Sequence, residues 1–209
     1  ELFNDLLIPL NQSNFITEMK KKDCVVLDTR NSDEYAKKHL INSINIGLNG
    51  SFAISVGNLI DINKKILLIC NKGKEMESFK RLLRVGFDNI IGYLDGSIDS
   101  WVGNDFIDKI DQIQINHLNN KYDNYQILDV RTKKEYEISH LKESINLPLY
   151  DLINKNNLLK KTNKYLIHCQ TGYRSMIASS LLKNMGFDVI DIKDGFISFL
   201  NSNSKKVTS

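Results

Sequence analysis

The sequence predicts an α/β protein built as two tandem domains, each a mostly parallel sheet flanked by helices. Three observations carry that prediction. First, the 209-residue chain repeats itself: Asp28, Arg30, Glu34, Tyr35, His39, Leu40, Ser43, Ile44, Asn45 and Leu48 recur as Asp129, Arg131, Glu135, Tyr136, His140, Leu141, Ser144, Ile145, Asn146 and Leu149. Such a period is domain-sized, so two copies of one domain are expected rather than a solenoid. Second, each copy alternates short apolar runs with helix-start signals. Third, the chain is 42% hydrophobic and 25% charged, which is globular composition with enough apolar side chain for two ordinary cores. Later landmarks stay in step: Cys70 with Cys169, Gly86-Phe87 with Gly186-Phe187, Gly96 with Gly195. The seam is expected in the polar stretch Gly103–Asp111, giving domains 1–108 and 109–209.

The second copy shows the elements most clearly. Gln126–Leu128 reads as a short apolar strand. Thr132-x-x-Glu135 then has capping-box spacing, as does Asn31-x-x-Glu34 in the first copy, so a helix should start at each. His39 and His140 are expected to end those helices in structural roles. Ser144–Leu147 reads as a second strand closed by Pro148, and Tyr165–His168 as a third, apolar along most of its length. A helix is expected over about Arg174–Met185, stopped by Gly186, followed by a strand at Val189–Ile192. Buried-looking strands joined by helices imply a parallel sheet covered on both faces. Ligands of such sheets bind beyond the carboxyl ends of the strands, and Cys169 sits at such an end.

Composition excludes other classes. A net charge of +3, from 28 basic and 25 acidic side chains, lacks the basic excess of a nucleic-acid binder. No apolar run is long enough for a transmembrane helix, so no membrane partner is expected. Three cysteines cannot form a disulfide framework, and the odd count fits a reducing, cytoplasmic compartment. Cys24, before a strand, reads as packing. Glu1 opens on neither Met nor a leader pattern, so it reads as a cut into a longer protein. The chain has 24 Asn and 23 Lys but only 5 Arg, so Asn is a weak local signal while each Arg asks for a reason.

The chemistry lies in Leu166-Ile167-His168-Cys169-Gln170-Thr171-Gly172-Tyr173-Arg174-Ser175. A strand ends at a cysteine, a loop with one glycine follows, and a helix opens. The loop N–H groups and those of the first helical turn have no internal partners and should converge on the sulfur. The helix start adds roughly half a positive charge. Both effects favour thiolate over thiol, the setting of a lowered cysteine pKa. Gly172 lets the loop close without a Cβ clash, and Arg174 can offer several donors to an anion there. Gln170, Thr171, Gly172, Tyr173 and Ser175 are the candidate substrate-binding residues, with Cys169 and Arg174 catalytic and no metal ligands or cofactor expected. The first copy has Cys70-Asn71-Lys72-Gly73-Lys74-Glu75. Cys70 and Gly73 are kept, but Glu75 replaces the arginine and should repel an anion and raise the thiol pKa. That loop reads as a degenerate site.

Cys169-x-x-Gly172-x-Arg174, preceded by Asp129-x-Arg131 and by His140 through Asn146, resembles the rhodanese domain, and the resemblance covers nearly all of both copies. It implies five-stranded, mostly parallel sheets and a cysteine that carries sulfane sulfur as a persulfide. On that reading Cys169 is the nucleophile, the loop N–H groups and Arg174 hold the persulfide and an anionic donor, and Asp129 and Arg131 are buried framework residues. The implied partners are small sulfane-sulfur donors and thiol acceptors. The family pattern has Gly-Ala where this chain has Asn42-Ser43 and Glu143-Ser144, which puts that local turn in question. Ser51-Phe52-Ala53, Asn58-Leu59-Ile60-Asp61 and the run Arg84 to Leu94 resemble the degenerate first rhodanese domain of metallo-β-lactamase/rhodanese fusions. This implies an N-terminal metal-dependent domain in the same full-length chain. Two rival readings stand beside sulfur transfer: a non-catalytic pair serving as an interaction module, and a cysteine phosphatase or arsenate reductase. The cysteine phosphatases place five residues between Cys and Arg to wrap a phosphate. Here there are four.

Overall fold

The computed structural model describes residues 7–114, 122–201 and 207–208. The chain divides into two compact units, Glu1–Lys109 and Ile110–Ser209. The first runs β1 (Pro9–Leu10), α1 (Gln12–Met19), β2 (Cys24–Asp28), α2 (Ser32–Lys37), β3 (His39–Leu40), β4 (Ser43–Asn45), α3 (Phe52–Leu59), β5 (Lys65–Ile69), α4 (Glu75–Leu83), β6 (Ile90–Leu94) and β7 (Ile107–Asp108). The second runs β8 (Asp111–Ile113), β9 (Tyr125–Asp129), α5 (Lys133–Ile138), β10 (His140–Leu141), β11 (Ile145–Asn146), α6 (Leu152–Lys155), β12 (Lys164–His168), α7 (Tyr173–Asn184), β13 (Asp188–Ile192), α8 (Gly195–Asn201) and β14 (Val207–Thr208).

Each unit holds a five-stranded parallel sheet, ordered β1-β6-β5-β2-β4 in the first and β8-β13-β12-β9-β11 in the second. The two orders are the same order. A short antiparallel pair stands beside each sheet, β3 with β7 and β10 with β14. The central strands are β5 and β12. Ile66 to Ile69 of β5 and Tyr165 to His168 of β12 are buried without a break, as strands covered on both faces must be. Phe15, Leu67, Leu94 and Trp101 lead the first core, and Leu166, Ile192, Phe196 and Phe199 the second. Each such side chain contributes about 1.5–3 kcal/mol by burial.

Both capping boxes form. Asn31 accepts from Glu34 N and Glu34 from Asn31 N, and Thr132 and Glu135 do the same. Helix α7 is buried from Ser175 through Leu182, so it lies inside its unit rather than on it. It stops where the sequence indicated. Gly186 N–H donates to Lys183 O and Phe187 N–H to Leu182 O, the pair of reversed bonds that closes a helix on a left-handed residue. Among the described residues no helix is long and apolar enough to cross a membrane.

Two local expectations are corrected, and the turn in question is resolved. His39 and His140 do not end helices; α2 and α5 stop at Lys37 and Ile138, and both histidines lie in the short strands that follow. The strand expected over Ser144–Leu147 is only Ile145–Asn146, because Ser144 turns its N–H and hydroxyl back onto Leu141 O. The questioned turn keeps the left-handed backbone that glycine would adopt, with Asn42 at φ 62° and Glu143 at φ 65°.

Candidate active site

The repeated residues form one polar frame, built twice. Asp129 accepts from the backbone N–H of Arg131 at 2.9 Å, from its Nε at 3.0 Å and from its Nη2 at 2.7 Å. Asp28 and Arg30 do the same. Arg131 Nη2 also donates to Ser139 O, and Arg30 Nη2 to Lys38 O, pinning the end of the helix that follows each arginine. Asn146 Nδ2 donates to Asp129 O and Arg131 O, fixing the bend where the chain leaves β9. Tyr136 stacks on His140 with ring centroids 4.0 Å apart and donates its hydroxyl to Ser144 O. The ion pairs are almost wholly buried, and each carboxylate accepts from three N–H groups of its arginine. Removing one partner of such a pair costs about 3–5 kcal/mol.

This frame stands beside the loop after β12. Cys169 is the first residue past the strand and is 1% exposed. Its sulfur accepts the Gly172 N–H at 3.2 Å. Gly172 reaches that position with φ 93°, a conformation that side chains resist. Helix α8 clamps the loop from the other side. Phe196 N–H donates to Cys169 O at 2.7 Å and Ile197 N–H to Gln170 O at 3.2 Å. A Cβ on Gly195 would stand 2.6 Å from Cys169 O, so only glycine allows this approach. The Arg131 guanidinium lies 3.8 Å over the Phe196 ring, tying the frame to α8.

The other candidate residues divide. Thr171 is exposed and Tyr173 half-buried at the helix start. The Gln170 side chain instead accepts from Arg131 Nη1 at 3.3 Å, and Ser175 is buried with its hydroxyl on Gly172 O at 3.2 Å. These two support the loop through the frame and the helix start. Arg174 has a partner that the sequence did not indicate. Its Nη1 donates to Glu135 Oε2 at 2.7 Å and its Nη2 to Glu135 Oε1 at 2.6 Å, so two of its donors are taken. Those bonds hold the Glu135 carboxyl down at about 2, against the opposing effect of burial. They also raise the Arg174 guanidinium above its ordinary value, against the opposing effect of burial.

His168 is fully buried, with Nδ1 3.3 Å from Cys169 O and Nε2 3.6 Å from Asp129 Oδ2. Nε2 has no hydrogen-bond partner. Burial pushes its pKa down, with Asp129 opposing, so the ring is held neutral.

In the first unit Cys70 is equally buried, and its thiol is pushed up to about 12, first by burial and then by Glu75 and Asp28. Gly73 keeps the left-handed turn at φ 82°. Glu75 begins α4 where Arg174 follows the start of α7, so Glu34 has Asn71 as a partner instead of an arginine. Ile69 occupies the place of His168. Cys24, first in β2, packs against the core and is pushed up to about 11 by burial.

The sequence reading missed the Glu135–Arg174 pair, because Glu135 was visible only as a capping residue 39 positions away. It also missed the clamp by α8, whose one signal was the repeated glycine at 96 and 195.

Comparison with known proteins bears on both units. A probable molybdopterin-synthase adenylyltransferase of Porphyra purpurea is 37% identical over 98 residues, 46% of this chain and 26% of that protein. A tRNA sulfurtransferase of Thermoplasma acidophilum is 40% identical over 60 residues, 29% of this chain and 12% of that protein. The chain thus spans about a quarter or less of the length of these curated relatives. A rhodanese-related protein from Thermoplasma volcanium matches in structure with a TM-score of 0.45 at 28% identity, covering 47% of this chain and 97% of that one. The family model for the rhodanese-like domain matches twice, over residues 12–104 and 115–202, and the chain belongs to that family as a tandem pair.

Proposed function

We propose that the second unit is a sulfurtransferase working through a persulfide on Cys169. The Cys169 thiolate attacks the sulfane sulfur of thiosulfate. The new S–S bond forms as the bond to the sulfonate sulfur breaks, and sulfite leaves with the electron pair. A low-molecular-weight persulfide donor would release its thiolate in the same way. An acceptor thiolate then attacks the terminal sulfur, carries it off as a persulfide and regenerates the Cys169 thiolate. The Gly172 N–H aimed at the sulfur is the observation that carries this reading; it would steady the anion before and after transfer. Arg174, in the first helical turn after Gly172, would supply positive charge for the donor. The Asp129–Arg131 frame and α8 hold the loop rather than react.

The first unit is non-catalytic on this reading, since Cys70 is held as a thiol and Glu75 faces any anion. The pair would act as one part of a larger persulfide-handling protein of a reducing, cytoplasmic compartment, with a metal-dependent domain preceding it. The resemblance of the first unit to the fusion proteins supports that placement. Thiosulfate- and persulfide-dependent transfer should therefore be measurable, and Cys70→Ser should keep it within about twofold. Hydrolysis of aryl phosphates should be negligible. Phosphatase turnover lost in Cys169→Ser, with no sulfur transfer from any donor, would reverse the assignment in favour of a phosphatase.

A further inference from the structure

The Glu135–Arg174 pair is built differently from a loose surface ion pair. Glu135 Oε2 accepts three hydrogen bonds: from Thr132 N–H at 2.9 Å, from the Thr132 hydroxyl at 2.7 Å and from Arg174 Nη1. Oε1 takes Arg174 Nη2. The carboxylate is thus anchored to the first turn of α5 and does not depend on the arginine for its position. The first unit makes the same point. Glu34 caps α2 in the same way although its arginine is absent. Only one third of the Glu135 side chain is exposed, and Arg174 less, so water screens the pair incompletely.

Arg174 lies in the first turn of α7, whose N-cap Gly172 donates its N–H to the Cys169 sulfur, so an anion at that helix start meets a guanidinium that a fixed carboxylate already occupies on two donors. It must share or displace that carboxylate, and it feels the negative charge in either case. The penalty grows with the charge of the donor, since the repulsion is proportional to it.

We propose that Glu135 is a specificity-determining residue that selects singly charged sulfane donors over the dianion thiosulfate by holding Arg174. The inference rests on the sulfurtransferase reading of the second unit. It assigns no contact between Glu135 and the reacting sulfur, so Glu135 is a positioning residue that acts through Arg174.

The test compares thiosulfate with methanethiosulfonate. Both deliver a sulfane sulfur, but the second carries one negative charge fewer and leaves as methanesulfinate instead of sulfite. Glu135→Gln is the informative variant, because glutamine also completes a capping box and leaves α5 capped. It removes the charge and one of the two acceptors facing Arg174. The ratio of kcat/KM for thiosulfate to that for methanethiosulfonate should rise about tenfold in Glu135→Gln, mainly through KM. A second arm reads binding without turnover. In a Cys169→Ser background, calorimetry should find thiosulfate bound about tenfold more tightly when Glu135→Gln is added. An unchanged or lower ratio, or equal or weaker binding in the double variant, would overturn the proposal. Absence of sulfur transfer from either donor in the unaltered protein would instead overturn the sulfurtransferase reading, while the binding arm would still decide the role of Glu135.

Discussion

Arg174→Glu converts the second loop to the charge pattern of the first, and its consequences can be worked through. The substitution removes two charge-assisted hydrogen bonds of 2.6 and 2.7 Å. The partners are 23% and 32% exposed, so the full value of such bonds must be discounted for solvent, to about 1–2 kcal/mol for the pair. Two carboxylates then face one another, which adds roughly 1 kcal/mol of repulsion. The second unit should lose about 2–3 kcal/mol, a fall in Tm on the order of 10 °C for a domain of this size. The pH dependence fixes the cause. Glu135 titrates near 2 in the fold, against about 4.3 in an unfolded chain. Its contribution is therefore fully present above about pH 4.5 and is lost as pH falls toward 2. The stability gap between wild type and Arg174→Glu should be full at pH 7 and shrink across that acid window. Transferase activity at pH 7, measured on folded protein, should fall at least about a hundredfold, and Arg174→Lys should lie between, since lysine keeps the charge but not the fork of donors. A gap that stays constant from pH 7 to 2, or activity within tenfold of wild type, would refute this reasoning.

Three further substitutions probe the frame. Gly195→Ala places a methyl 2.6 Å from the Cys169 carbonyl, so it should cost about 2 kcal/mol or more by forcing α8 off the loop; chemical denaturation that finds it neutral would remove the clamp from the account. Glu143→Gly relieves a left-handed glutamate and should stabilise the second unit by roughly 0.5–1 kcal/mol, whereas a loss in Tm would argue against strain there. His168 is held neutral by burial, so its contribution is present above about pH 6.5 and is lost as the unfolded chain takes up a proton below it. Between pH 7 and 5 the wild type should lose stability more steeply than His168→Ile, by up to about 1.4 kcal/mol per pH unit, and equal slopes would show that His168 protonates in the fold.

The double fold was legible because its signals are periodic and local. Capping boxes at Asn31 and Thr132, unbroken apolar runs in β5 and β12, and the Gly186 stop are each written within a few residues. The position of Cys169 between a strand and a helix followed from the same signals. The direction of the Arg174 side chain did not, because its partner Glu135 lies on another helix and already had a local explanation. The side-chain partners of Gln170 and Ser175 were hidden for a related reason. Adjacency in sequence to a reactive cysteine places the backbone near the sulfur, but neighbouring packing decides where the side chains turn. The left-handed Asn42 and Glu143 show the converse. The frame around Ser43 and Ser144 imposes the turn even where the residue does not favour it.

Intact-protein mass spectrometry after exposure to thiosulfate or a persulfide tests the central claim most directly. Wild type and Cys70→Ser should each gain one sulfur, about 32 Da, removable by a thiol acceptor, while Cys169→Ser should gain none. Equal loading of Cys169→Ser and wild type, or loading that disappears with Cys70→Ser, would contradict the assignment of Cys169 as the sulfur carrier.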